Sequence, residues 1–323
     1  MNYVLLLGAG FSRNWGGWLA SEAFEYLIGC PQLDAGLKDL LWRHKRTGGF
    51  ESGLAELQEI HFRSNRTTPE PSLTKLQNAI LQMFKDMDEA FGQVPFEFQN
   101  YTEYLVRSFL VRFDAIFTLN QDLLLERHYL DGNVALGSYR SWDGWHIPGM
   151  KCITSDLSGL QNRNLGRWEP DPPNFNVSPR LQPFFKLHGS SNWIDSNSQE
   201  LLVLGGNKVS IIEQFPILKW SHDQFKDYLS RPDTRLMVIG YSFGDNHINT
   251  AIRNAVASQN LHIFVIDPLG VDVIDKNRDA TIYAPDELAS VLWPHLIGSS
   301  RRSLRETFDA DRVEHSKVMR FFS

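Results

Sequence analysis

The 323-residue chain has 42% hydrophobic and 22% charged residues, the balance of a soluble globular protein, at a length that suits one large α/β domain with an insertion or two closely joined domains. Its net charge of −6 argues against a chain that grips DNA by itself, because phosphate binding needs clustered Lys and Arg; a local basic face stays open. Two cysteines, Cys30 and Cys152, exclude a four-cysteine zinc site and give no disulfide framework, which fits a reduced, cytoplasmic compartment.

The first apolar run, residues 3–7, is too short for a signal sequence and lacks a basic flank. It sits almost at the N-terminus, so no targeting or regulatory extension is expected before it. No stretch approaches the roughly 20 apolar residues that span a bilayer.

Five short apolar runs each end in glycines or polar residues. Tyr3-Val4-Leu5-Leu6-Leu7 leads into Gly8-Ala9-Gly10-Phe11-Ser12, and Ala115-Ile116-Phe117 into Thr118-Leu119-Asn120-Gln121-Asp122. Phe184-Phe185-Lys186-Leu187 leads into His188-Gly189-Ser190, Leu236-Met237-Val238-Ile239 into Gly240-Tyr241-Ser242, and Ile263-Phe264-Val265-Ile266 into Asp267. Such runs read as buried parallel strands, and ligands of open α/β sheets bind beyond the carboxyl ends of the strands.

Between the first two strands, residues 19–112 read as an inserted helical subdomain; Leu73, Leu76, Ile80, Met83, Phe84 and Met87 share one helical face after Pro71-Ser72. Residues 139–183 carry three tryptophans (142, 145 and 168) and six prolines and read as loop-rich with a short hairpin, serving as a lid, contact surface or packed loop. Helices are expected over 246–258 and 285–297. A charged helical tail, about 300–323, ends in Phe321-Phe322, suited to docking on a partner or to folding back. The fold class expected for residues 1–323 is α/β: a Rossmann-like parallel sheet flanked by helices, with the helical insertion.

Each cluster has a functional and a bland reading. Gly8-Ala9-Gly10 lets backbone approach a pyrophosphate, with Ser12 adding a hydroxyl, or is a tight strand-to-helix turn; position 13 is Arg, so G-x-G-x-x-G is not met. Asn120 can hold a small polar group or water through its amide, and Asp122 fits an N-cap. His188 is a general-base candidate or a satisfied polar group. Gly240 and Ser242 suit contact with ribose or phosphate, while Asp245 to His247 also suit a helix cap. Asp267 has the chemistry to take two ribose hydroxyls, and Pro268 after it stops the strand. Gly240-Tyr241-Ser242-Phe243-Gly244 also matches the bare nucleophile-elbow pattern, with His262 and His295 downstream. No nucleoside-triphosphate loop and no metal-ligand spacing is present.

In this order the motifs resemble the sirtuin family, over residues 1 to about 270. The resemblance implies that Gly8, Ala9, Gly10 and Ser12 hold NAD+ phosphates, that Asn120 and Asp122 lie by the nicotinamide and its ribose, and that His188 is the catalytic base. Gly240 and Ser242 then line the adenosine side, with Asp267 near the adenine ribose. Residues 189–239 hold no cysteine, whereas protein-deacylating sirtuins carry a four-cysteine zinc module there; Asn14-Trp15-Gly16-Gly17-Trp18 also replaces their usual segment. These departures resemble the sirtuin-like NADase effectors of bacterial antiviral defence. That resemblance implies hydrolysis of NAD+ without a metal, a homo-oligomer, and a separate sensor such as a HerA-type ATPase. A zinc-less deacylase and a non-enzymatic NAD+ or ADP-ribose sensor are the competing readings, and a nuclease contribution within a larger complex is left open.

Overall fold

A computed structural model describes residues 1–64, 71–101, 104–130, 142–154, 163–275, 277 and 286–323. The strands are β1 (Asn2–Leu7), β2 (Ala115–Thr118), β3 (Gly144–His146), β4 (Met150–Cys152), β5 (Trp168–Pro170), β6 (Leu181–Lys186), β7 (Gly189–Ile194), β8 (Glu200–Leu202), β9 (Thr234–Ile239), β10 (His262–Ile266) and β11 (Leu296–Ser300). Seven of them form one sheet in the order β11-β10-β9-β1-β2-β6-β3, every pair parallel. This is the expected Rossmann-like α/β architecture.

The sheet is covered on both faces, which is why its inner strands read as unbroken apolar runs. Leu5, Leu7, Ile116, Phe184 and Met237 face one core layer, with the helices Ala20–Gly29, Ala35–His44, Gly49–Arg63 and Pro71–Phe91. Val4, Leu6, Phe117, Phe185 and Val238 face the other, built on the helices Pro216–Leu229, Asn246–Gln259 and Glu287–Leu292. Alternate residues of one strand therefore serve opposite layers.

Two edge strands lie outside the five apolar runs. The helix expected over 285–297 stops at Leu292, and Leu296–Ser300 pairs with β10 as β11 instead (residue 285 lies outside the described residues). Only Leu296 and Ile297 of that strand are strongly apolar. Gly298 follows because a Cβ there would come within 2.5 Å of the Phe264 ring. The segment 139–183 supplies β3 to the main sheet edge, while β4 and β5 join β7 and β8 in a second, four-stranded sheet; 139–141 and 155–162 lie outside the described residues. Trp168 is buried and donates to the Asn164 carbonyl, and Trp142 donates to that of Val111, so these rings pack rather than wait for a partner.

The C-terminal tail also folds back. Phe321 is buried against Phe113 and Tyr3, the Tyr3 hydroxyl donates to the Phe322 carbonyl, and Arg235 donates to that of Phe321. The terminal phenylalanines close the chain's own core rather than a partner's groove. No helix among the described residues is long and apolar enough to cross a membrane.

Candidate active site

The chain runs outward from β1 through β2 to β6 and then returns to β9 on the other side of β1. The sheet order therefore reverses between β1 and β9, and a crevice opens beyond the strand ends at such a point. The loops after β1 and β9 meet there with no side chain between them. The Gly10 N–H donates to the Gly240 carbonyl at 2.9 Å. A Cβ on Gly240, whose φ is +63°, would lie 2.4 Å from the Gly10 Cα, and one on Gly8 would lie 2.5 Å from the Gly240 oxygen. The glycines allow backbone to approach backbone, and the Gly8 N–H is bonded to the Ile239 carbonyl. Ala9 is left exposed between them.

A buried polar lattice joins this loop to the end of β2. The Asn120 amide donates to the Gly8 carbonyl and to Ser12 Oγ, both at 3.0 Å. The Ser12 hydroxyl donates to Asp122 Oδ2 at 2.8 Å, and Asp122 Oδ1 accepts the Leu124 N–H, opening the helix Leu124–His128. Asp122 therefore holds Ser12 and turns the chain into the helix from one position before the N-cap, which is Leu123 rather than the expected Asp122. Because Asn120's donors are both engaged, its rotamer is fixed. Its amide oxygen accepts no hydrogen bond among the described residues and is not sealed from solvent.

Beneath the lattice lies a pair that the sequence reading passed over. Lys186 donates to Glu126 at 2.6 Å and to the Asp122 carbonyl, and both side chains are 1% exposed. Burial pushes the Asp122 and Glu126 carboxyls up, against the pull of the Lys186 ammonium. A lysine inside Phe-Phe-Lys-Leu was the available signal, since a buried strand takes a charge only with a partner. Ser12, Asn120, Asp122, Glu126 and Lys186 border a cavity with room for about one water molecule, far too small for a dinucleotide.

His188 follows β6, two residues beyond Lys186, which pairs with Thr118 of β2; Asn120 is two residues beyond Thr118. The two site candidates therefore leave neighbouring strands on the same rung, though no hydrogen bond joins them. Gly189, with φ +73°, admits no external ligand: a Cβ there would fall 1.9 Å from the Leu201 carbonyl oxygen of β8.

His188 Nε2 lies 3.1 Å from His247 Nε2, and His222 Nε2 bonds the Leu187 carbonyl at 2.9 Å. Burial, then Lys208, His222 and His247, holds His188 well below the usual histidine range; burial, then His247, brings His222 down to about 4. Burial also lowers His247, with Asp245 opposing and Lys208 adding to the shift. Lys208 is fixed by Glu51 at 3.0 Å and Asp245 at 2.9 Å. Burial works against its charge, but the two carboxylates outweigh it and hold the ammonium above its ordinary value. His222 shares the buried face of its helix with Leu218 and Phe225, a position where a histidine stands out. Asp245 is an N-cap by position, yet its carboxylate goes to Lys208.

The remaining candidates stand apart from these groups. Ser242 is exposed and its hydroxyl has no partner among the described residues. Asp267 ends β10, where its carboxylate accepts the Leu269 N–H in a tight turn. The nucleophile elbow fails on topology. His262 opens β10 opposite Arg235 and His295 precedes β11, so both sit at the amino ends of parallel strands, across the sheet from Ser242.

Residues 114–284 match the family model described as a SIR2-like domain, a span from β2 past β10 that includes Asn120, Asp122, His188, Gly240, Ser242 and Asp267. No curated protein matches the chain.

Proposed function

Because the chain belongs to the SIR2-like family, whose members act on NAD+, we propose that it hydrolyses NAD+ to nicotinamide and ADP-ribose. The observation that carries this reading is the Gly8–Asn120–Ser12–Asp122 lattice, which presents one unpartnered amide oxygen at the sheet's switch point, on the same rung as a buried neutral histidine.

In this reading the dinucleotide spans the crevice beyond the strand ends, with its phosphates toward Ala9 and the glycine loop and its adenosine toward Ser242 and Asp267. The Asn120 oxygen orients a ribose hydroxyl or the attacking water. The bond between ribose C1′ and the nicotinamide nitrogen breaks, and its electron pair neutralises the pyridinium ring. Water oxygen bonds to C1′ and loses a proton to His188, which is neutral and so has a lone pair to receive it. General-base help of this kind is worth ~10²–10⁴-fold. His247, half-buried and in contact with His188, offers the proton a way out. Asp122 touches no substrate; it positions Ser12, and through Ser12 the Asn120 amide. The wider role we infer is that of an antiviral effector held in check until it assembles with itself and a partner subunit, such as a HerA-type ATPase.

The test is incubation of the purified chain with NAD+, with and without an acetyl-lysine peptide, reading nicotinamide and ADP-ribose. Release without peptide, lost in Asn120→Ala, is the expected result. Release only with peptide would replace this reading with a deacylase, and tight binding without release, in the presence of the assembled partner, with a sensor.

A further inference from the structure

The three histidines form a constellation that the proposed reaction uses only in part. We propose that His188, His222 and His247 together bind one divalent transition cation of the zinc class. Each offers one ligand nitrogen, and the three nitrogens lie within 4.8 Å of one another. Three imidazoles on a tetrahedral zinc, with Zn–N near 2.0–2.1 Å, place their nitrogens about 3.4 Å apart. His188 and His247 already stand at 3.1 Å, and His222 lies within the 4.8 Å span of the group. The ring centroids are separated by 5.3, 5.3 and 6.2 Å.

The hydrogen bonding of His222 suits a metal ligand. His222 Nε2 donates to the Leu187 carbonyl, which fixes that tautomer and leaves Nδ1 with its lone pair; zinc-bound histidines are held in this way. Asp245 favours positive charge at His247, while the Lys208 ammonium it binds opposes it there and at His188. An all-nitrogen set suits zinc and its neighbours rather than magnesium or calcium. Three ligands leave the fourth position of a tetrahedral ion open.

The site has a consequence that rests on the proposed NAD+ hydrolysis. A cation on His188 Nε2 takes the lone pair that general-base work needs, so bound zinc and turnover exclude each other. Zinc is thereby an inhibitor acting through the same imidazole.

Two separate measurements test this. Zinc is titrated into the metal-stripped full chain against a chromophoric chelator, without NAD+. One zinc per chain is expected, weakened at least 10-fold in His222→Gln and in His247→Gln; magnesium is expected not to compete. The glutamine amide at 222 can still donate to the Leu187 carbonyl, and position 247 is only half-buried, so one folded variant suffices. The absence of stoichiometric zinc binding, or equal binding by a folded variant, would overturn the site. Independently, nicotinamide release is followed in chelator and after zinc addition. Loss of release over the range where zinc binds is expected, while full release by the zinc-loaded chain would overturn the competition. Absence of release even in chelator would count against the NAD+ reading and leave the binding result standing.

Discussion

The Ser12 hydroxyl donates to Asp122 Oδ2 at 2.8 Å across 110 positions of chain, and Ser12 Oγ in turn accepts from the Asn120 amide. One serine thus ties the loop after β1 to the loop after β2 and sets the aim of Asn120. Ser12→Ala leaves a buried carboxylate oxygen and an amide N–H without their partner, a loss of about 1–3 kcal/mol. Chemical denaturation should show that loss, and NAD+ turnover should fall with it because Asn120 is no longer held. Asn120→Ala should abolish turnover while the protein still unfolds cooperatively.

Gly240 and Gly16 make a controlled comparison, since both have positive φ, +63° and +90°. A methyl at Gly16 meets nothing within 4 Å, so Gly16→Ala costs only backbone strain, about 1–3 kcal/mol. A methyl at Gly240 meets backbone at 2.4 Å from Gly10, and neither loop can yield without breaking the Gly10–Gly240 hydrogen bond. Gly240→Ala should therefore lower the melting temperature well beyond Gly16→Ala and weaken NAD+ binding. Equal melting temperatures would mean that the two loops are free to part.

What the sequence made legible follows from what kind of signal each feature leaves. The five inner strands are buried on both faces, so each appears as an apolar run with its polar cluster at the carboxyl end. β3 and β11 are edges, short and with mixed residues, and β11 needs Gly298 under the Phe264 ring, so nothing in their composition announces a strand. Asn120, Asp122 and His188 stand out because they follow strands directly. The histidine cluster does not, because 222 and 247 come from two separate helices and meet 188 only once the sheet is wound. By spacing, Gly8-Ala9-Gly10 suits either room for a phosphate or a tight turn. The room at Gly8, Gly10 and Gly240 is filled by backbone, something spacing cannot reveal.

Lys186 and Glu126 form an ion pair 1% exposed on either side, the arrangement in which losing one partner costs most. Lys186→Met leaves the Glu126 carboxylate without a counter-charge and should destabilise the fold by about 3–5 kcal/mol. Replacing both, as Lys186→Met with Glu126→Leu, removes the uncompensated charge and should recover much of that loss. A double-mutant cycle in urea measures the difference. A double variant no more stable than the single would mean that the bond from Lys186 to the Asp122 carbonyl, rather than the ion pair, is what the lysine supplies.

His222 gives the stability a pH dependence of known sign. Burial, then His247, lowers its pKa to about 4 in the folded chain, while the unfolded chain keeps the ordinary 6.5. Between those values the unfolded state takes up a proton that the folded state refuses. The contribution to stability is therefore complete above pH 6.5 and is lost as pH falls toward 4, at about 1.4 kcal/mol per pH unit, or about 3 kcal/mol in all. Half-buried His146, also lowered to about 4, adds a decline of the same sign, whereas the raised carboxyls of Asp122 and Glu126 act in the opposite direction. The clean measurement is the difference between the wild-type chain and His222→Gln, both in chelator, with unfolding free energies taken from pH 7 to pH 4. The wild-type chain should lose stability faster than the variant on acidification. Parallel curves would show that His222 reaches solvent and takes its proton without unfolding.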